Sequence, residues 1–245
     1  MIISLKNISK TFKEDSKQLA VLRDINLEIK KGEFFVFLGP SGSGKSTLLR
    51  IMSGLEKEYQ GKVTLDETVS QKDFSFIFQQ FALLPWLSVF KNVELGLLTR
   101  GIPKNERIQK VMDELKKLGL EKFTHSLPKE LSGGMKQRVG IARALVTNPK
   151  IIFMDEPFSA LDSFTAEELR EDVLEIWQRT KTTIIMVTHL ISEAIELADR
   201  IAVITSRPGK IESILENNLS RPRQKRSQEF FNMEDRLSNL IKFKL

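Results

Sequence analysis

Lys45 and Ser46 lie near the end of the run Gly39-Pro40-Ser41-Gly42-Ser43-Gly44-Lys45-Ser46-Thr47, whose G-x-x-x-x-G-K-[ST] spacing suits phosphate chemistry. Glycines let a backbone wrap closely around a phosphate without Cβ clashes. The loop N–H groups and a following helix N-terminus then face the anion. In such a loop Lys45 reaches the β- and γ-phosphates, and the Ser46 hydroxyl ligates Mg²⁺. The flanks supply the required context. Phe34 to Leu38 reads as a buried strand and Leu48 to Met52 as the start of a helix. The chain is therefore expected to bind a nucleoside triphosphate.

Other reactive residues stand at predicted strand ends. Met154-Asp155-Glu156-Pro157 closes the uniformly apolar run Ile151 to Met154. Ligands in open parallel sheets sit at the carboxyl ends of strands. Asp155 suits a direct or indirect Mg²⁺ role, and Glu156 suits a general base on the attacking water. His189 ends a third apolar run, Ile184 to Val187, and is expected to hold the γ-phosphate and the water. Gln79, after Phe74 to Phe78, offers a neutral amide to Mg²⁺ or water, although a polar strand end alone would explain it. Leu131-Ser132-Gly133-Gly134-Met135 presents a hydroxyl, bare amides and a helix N-terminus. Ser132 as a simple helix cap is the alternative. One triphosphate with one phosphate loop does not need a second such device, which makes sense if it serves another molecule's nucleotide.

Elements must hold these residues in place. Ile3 to Ser9 and Leu19 to Ile29 read as strands, with Lys13 to Lys17 a polar turn between them. Ile25, Leu27 and Ile29 alternate with polar residues, as in a half-exposed antiparallel sheet. Phe12 at the end of the first strand is either an adenine-stacking ring or a core aromatic. Gly61 to Leu65 is a further strand. From Val89 to Leu145 helical spacing dominates: Ile108, Val111, Met112, Leu115 and Leu118 share a face, and Gly119 ends that helix. A second helix follows the Ser132 loop and stops at Asn148-Pro149. Strands then alternate with helices. A helix from about Ala166 to Arg179 has Ser163 or Thr165 as its cap, with Thr165 and Glu168 fitting a capping box. Ser192 to Ala198 is a short helix, Ile201 to Thr205 and Lys210 to Leu215 are strands, and Asn217 to Ser227 is a polar, basic linker. Gln228 to Leu245 is a terminal helix with Phe230, Met233, Leu237, Leu240 and Ile241 on one side.

Composition narrows the class. The chain has 245 residues, 41% hydrophobic and 29% charged, which is ordinary for a globular protein with ample core. No apolar run approaches the ~18 residues of a membrane helix. Met1 to Lys6 lacks the features of a secretory leader. Zero cysteines exclude disulfides and Cys-based metal or redox chemistry, and two histidines leave little scope for a His-rich site. His125, without a strand end, reads as surface. A net charge of +6 allows nucleic acid or an anionic membrane, but basic and acidic residues interleave, as from Glu106 to Lys117, which favours a solvated surface.

Taken in order, Gly39–Thr47, Gln79, Leu131-Ser132-Gly133-Gly134-Met135-Lys136-Gln137-Arg138, Ile151–Glu156, Ser159-Ala160-Leu161-Asp162 and His189 make the chain resemble the ATP-binding subunit of an ABC transporter. The resemblance spans about residues 1 to 220, with Phe12 where the family most often has tyrosine. It implies an α/β fold: a P-loop NTPase core with a RecA-like parallel sheet, an N-terminal antiparallel β subdomain, and a helical subdomain inserted at about 86–148. A basic linker and C-terminal helix occupy 221–245. It further implies a head-to-tail dimer that binds ATP and Mg²⁺. Each ATP is held by Lys45 and its loop from one copy and by Leu131, Ser132, Gly133 and Gly134 from the other, with Asp162 crossing the interface. Ser46, Gln79 and Asp155 serve the metal, and Lys45, Gln79, Glu156 and His189 the hydrolysis. Implied partners are a second copy, an integral membrane permease subunit and, indirectly, an extracytoplasmic solute-binding protein. The chain would sit peripherally on the cytoplasmic face of the membrane, and no nucleic-acid partner is expected.

Shorter features bear on which transporter. Leu84-Pro85-Trp86, Met135, Ser206-Arg207-Pro208-Gly209-Lys210-Ile211 and Arg221-Pro222-Arg223 before Phe230-Phe231 are similar to the nitrate, sulfonate and taurine importer subgroup. Phe81 to Leu87 is either core packing or a socket for a membrane-subunit helix. Arg221, Arg223, Lys225 and Arg226 are read as a solvated linker in preference to a lipid contact. The alternatives to import are a non-transport ABC mechanoenzyme on nucleic acid or ribosomes, a non-catalytic regulator, and an importer or exporter subunit for another solute. Single-copy motifs and only about fifty residues between Gln79 and Leu131 disfavour the mechanoenzyme. Glu156 and His189 disfavour the regulator.

Overall fold

The computed structural model describes residues 1–14, 17–98 and 100–242. In chain order the strands are β1 (Ile3–Glu14), β2 (Lys17–Ile29), β3 (Phe34–Leu38), β4 (Gln60–Leu65), β5 (Phe74–Ile77), β6 (Ile151–Asp155), β7 (Thr183–Thr188), β8 (Arg200–Ile204) and β9 (Ile211–Glu216). The helices are α1 (Lys45–Ser53), α2 (Val89–Leu98), α3 (Lys104–Lys117), α4 (Gly133–Leu145), α5 (Ser163–Thr180), α6 (Ile191–Leu197) and α7 (Gln228–Lys242). They fall into two compact units, Met1–Gln71 with Thr180–Leu245, and Lys72–Arg179.

The first unit contains two kinds of sheet. β1 pairs antiparallel with β2 and β4, and Ile25, Leu27 and Ile29 turn inward as their alternation predicts. The hairpin is longer than expected. β1 runs on to Glu14 and β2 begins at Lys17, so Lys13 pairs with Gln18 within the ladder. Of the expected turn, Asp15 and Ser16 lie outside the described residues. β3 pairs in parallel with both β7 and β8, and β8 pairs antiparallel with β9. All five residues of β3 and all six of β7 are buried, which is why these segments read as unbroken apolar runs. Each phenylalanine of β3 contributes about 1.5–3 kcal/mol by leaving water. At the start of β3, Asp199 accepts the Phe34 N–H at 3.0 Å and donates its own N–H to the Phe34 carbonyl at 2.7 Å.

The polar segment before α7 is not a solvated linker. Arg223 is buried, and its guanidinium donates to the carbonyls of Ile195, Glu196, Ala198, Asn217 and Leu219. Arg221 reaches Asp199 at 2.8 Å, and Lys225 reaches Glu196 at 3.5 Å. A buried cation needs its donors satisfied, and main-chain oxygens do so here. α7 then packs on α6 and β8 through Phe230 and Leu237. Residues 243–245 of the expected helix lie outside the described residues.

The second unit holds the parallel pair β5–β6 and helices α2 to α5. The predicted stripe of α3 buries Val111 and Leu115, while Ile108, in the N-terminal half of the helix, stays exposed. The cap of α5 differs from expectation. Asp162 accepts the Thr165 N–H at 3.0 Å, so Ser163 and Thr165 lie inside the first turn. A carboxylate takes the capping position because it also favours the positive helix end. Likewise Gly133 and Gly134 belong to α4 and not to a loop before it.

Candidate functional site

β3 delivers the chain into the phosphate loop, and α1 begins at Lys45. Its cap residue is Gly44, at φ 93°, with no side-chain hydrogen bond. The first N–H groups of α1 therefore meet no capping side chain, the arrangement that favours an anion. Lys45 is buried, and its Nζ donates to the Gly39 and Pro40 carbonyls, both at 2.8 Å. The ammonium thus lies across the loop. β7 runs parallel to β3 with Thr188 opposite Leu38, so His189 leaves the sheet at the same edge as the loop. Thr188 Oγ1 donates to Glu193 Oε2 at 2.6 Å and accepts the Leu190 N–H at 3.1 Å, which fixes the turn carrying His189.

The sequence reading missed what braces this loop from outside. The turn between β8 and β9 lies against it. Arg207 Nε donates to the Gly42 carbonyl at 3.2 Å. Gly209 donates to the Val21 carbonyl at 2.8 Å and accepts from Arg23 at 3.0 Å. A Cβ on Gly209 would stand 2.1 Å from the Ser43 carbonyl oxygen, so only glycine permits this approach. Nearby, Phe12 is exposed on β1 with Lys10 Nζ 4.5 Å from its ring centroid, a cation–π contact no spacing rule revealed. Lys10 is itself paired with Glu56 at 3.1 Å. A cleft of about 550 Å³ adjoins Phe12, with Tyr59 and Gln60 on its other side.

The second unit holds the remaining predicted residues. Asp155 is the buried last residue of β6, and Glu156 follows at φ 45°. β5 ends at Ile77, so Gln79 sits in a turn two residues beyond its strand and not at the strand end itself. Its Nε2 donates to Ser159 Oγ at 3.2 Å, and Ser159 Oγ donates to the Glu156 carbonyl at 3.0 Å. Gln79 and Glu156 are thereby joined through Ser159. Phe81 and Ala82 take left-handed φ values of 48° and 47°. Arg143 donates to both of their carbonyls, and burial lowers its pKa from the ordinary arginine value. This clasp between α4 and the Gln79 loop has no sequence signature.

Ser132 Oγ accepts the Met135 N–H at 3.3 Å and caps α4. The capping reading of Ser132 is therefore present, and it leaves Gly133 exposed at the helix start. A Cβ on Gly134 would lie 2.4 Å from Thr165, so the Ser132 loop and the Asp162 cap are close neighbours. Hydrogen bonds from the main chain and side chain of Thr165 hold the Asp162 carboxyl below the usual range. On α4, Gln137 is fully buried with neither amide atom hydrogen-bonded among the described residues.

Comparison with known proteins agrees with these features. The ABC transporter family model matches residues 22–159. An uncharacterized ABC transporter ATP-binding protein of Methanocaldococcus jannaschii is 45% identical, covering 98% of this chain and 91% of its own. An aliphatic sulfonates import ATP-binding protein of Bacillus anthracis is 44% identical, with 94% and 92% covered. A nitrate import ATP-binding protein of Synechocystis is 40% identical, with 99% and 96% covered. Among solved structures, a dimeric ATP-binding cassette in a post-hydrolysis state with ADP and Pi superposes with a TM-score of 0.79 at 37% identity, covering 89% of this chain and 99% of that one. With its phosphate loop, strand-end carboxylates and glycine-capped helix all in place, this chain belongs to the ABC transporter family, as one of its ATP-binding subunits.

Proposed function

We propose that this ATPase drives import of a small anionic solute, hydrolysing ATP in a head-to-tail dimer seated on an integral membrane permease. The observation that carries the reading is the β3–β7 register, which puts the phosphate loop and His189 at one edge. The sulfonate and nitrate import relatives support the class of solute. The dimeric cassette supports the second copy. In this reading the chain attaches through the permease at the cytoplasmic face; among the described residues no helix is long and apolar enough to cross a membrane. A solute-binding protein would act on the permease from the far side.

Each residue has a role in this reading. Lys45 leaves the Gly39 and Pro40 carbonyls for the β- and γ-phosphates, and the α1 N–H groups hold the β-phosphate. Phe12 stacks on the adenine. Glu156 takes a proton from the attacking water, an effect worth about 10²–10⁴-fold. His189 orients the γ-phosphate and the water. Ser132, Gly133 and Gly134 of a second copy close over the phosphates, flanked by Leu131, and Asp162 links the two sites. Ser46, Gln79 and Asp155 offer the hard oxygen donors that Mg²⁺ takes alongside substrate phosphates. When bound, Mg²⁺ neutralises charge on the phosphates. Gln79 senses the γ-phosphate, and Ser159 and Arg143 hold the loop that passes this on.

The test is Glu156→Gln. It should bind ATP, run as a dimer on sizing with ATP, and turn over about 10²–10⁴-fold more slowly. Near-normal turnover would remove Glu156 as the base.

A further inference from the structure

α6 is tied at both ends. Its first turn is fixed by Glu193 to Thr188, the residue before His189, at 2.6 Å. Its last carbonyls lack donors within the helix, as at every helix end. Two guanidinium groups from the segment before α7 supply them. Arg223 Nη1 donates to Ile195 and Ala198, both at 2.7 Å, and to Glu196 at 3.2 Å. Arg221 Nη2 donates to Leu197 at 2.6 Å. Positive charge at this end also favours the helix dipole. The rigid fork of arginine serves several acceptors at once, which lysine does not.

Arg221 also reaches the phosphate-loop strand. Arg221 Nη1 donates to Asp199 Oδ1 at 2.8 Å, and Asp199 Oδ2 accepts the Phe34 N–H at 3.0 Å. Phe34 opens β3, and β3 ends at the phosphate loop. One main-chain and side-chain network therefore holds the C-terminal end of α6, the helix that follows His189, and the start of β3, the strand that leads into the phosphate loop. A solvated tail would have no such connection.

We infer that Arg221 and Arg223 are positioning residues for His189, setting α6 along its axis so that the histidine meets the γ-phosphate. The inference rests on the proposed role of His189. It makes the segment from Asn217 to Ser227 part of the hydrolytic machinery. Removing a guanidinium frees α6 to shift, and a displacement of about 1 Å at a reacting group costs up to about 10²-fold in rate. ATP affinity, set by the loop and α1, should hardly change.

The experiment is a double-mutant cycle in the full chain, with kcat and KM for ATP measured for Arg223→Ala, His189→Ala and the double variant. Arg223→Ala should lower kcat about tenfold or more and leave KM within about twofold. The double variant should be no slower than His189→Ala alone. Arg223→Lys, with fewer donors, should fall between Arg223→Ala and the parent. If Arg223→Ala does not fold, the same cycle is run with Arg223→Lys, with the same non-additivity expected. Parental kcat in the Arg223 variant, or losses that multiply in the double variant, would overturn the inference. Parental kcat in His189→Ala would instead remove the reading beneath it.

Discussion

Single residues here act through atoms far along the chain. Gly209 illustrates this, since its missing Cβ lets the turn after β8 rest on the Ser43 carbonyl. Gly209→Ala should push the phosphate loop out of shape and weaken ATP binding at least about tenfold, or 1.4 kcal/mol. Titration with a fluorescent ATP analogue checks this, and unaltered affinity would show that the turn does not brace the loop. The loop between β3 and α1 was legible because its glycines, Lys45 and Ser46 stand at fixed local spacing. The positions of Glu156 and His189 just beyond β6 and β7 were legible because each follows an apolar run. The braces were not. Arg207 meets the Gly42 carbonyl 165 residues away, and Arg143 meets the carbonyls of Phe81 and Ala82. Main-chain oxygens leave no mark in a sequence, so their partners look like ordinary surface arginines.

Helices and strands were legible in kind and less so at their ends. The 3.6-residue stripe of α3 fixed its buried face. The cap of α5 was misplaced because Ser, Thr and Asp all suit that position, and only the backbone path selects Asp162. Inside the helical elements a charged cluster joins α2 to α3. Glu94 is buried and accepts from Lys91 at 2.8 Å and from Arg107 at 3.0 Å. Burial opposes its ionisation, but these two hydrogen bonds prevail and hold the carboxyl below the usual range. A depressed carboxyl stabilises the fold above its unfolded value, about 4.3, and that contribution fades as pH falls through the lower folded value. Arg107→Ala should therefore cost about 1.5–3 kcal/mol near neutrality. Thermal melts from pH 7 down to pH 3 should show the gap to the parent narrowing in acid. A gap that stays constant would mean that Arg107 acts by packing alone.

At the scale of the whole molecule, the order of the motifs identified the family and thereby the α/β architecture. The tail was read by composition alone, and four basic residues within six positions looked like a solvated run. The structure gives three of them, Arg221, Arg223 and Lys225, partners within the fold. The carbonyls that accept from Arg221 and Arg223 at the end of α6 are there because α6 ends where it does, which no charge pattern encodes. The phosphate loop and the Ser132 loop raise a larger point, since the proposed reaction uses the first from one copy and the second from another. A protein built this way has no complete site as a monomer. The most direct measurement is the ATPase rate per molecule across a dilution series, with oligomeric state followed by light scattering. The account predicts that the rate per molecule falls as the dimer dissociates, and that Ser132→Arg is inactive while still binding ATP. A constant rate per molecule down to fully monomeric protein would contradict it.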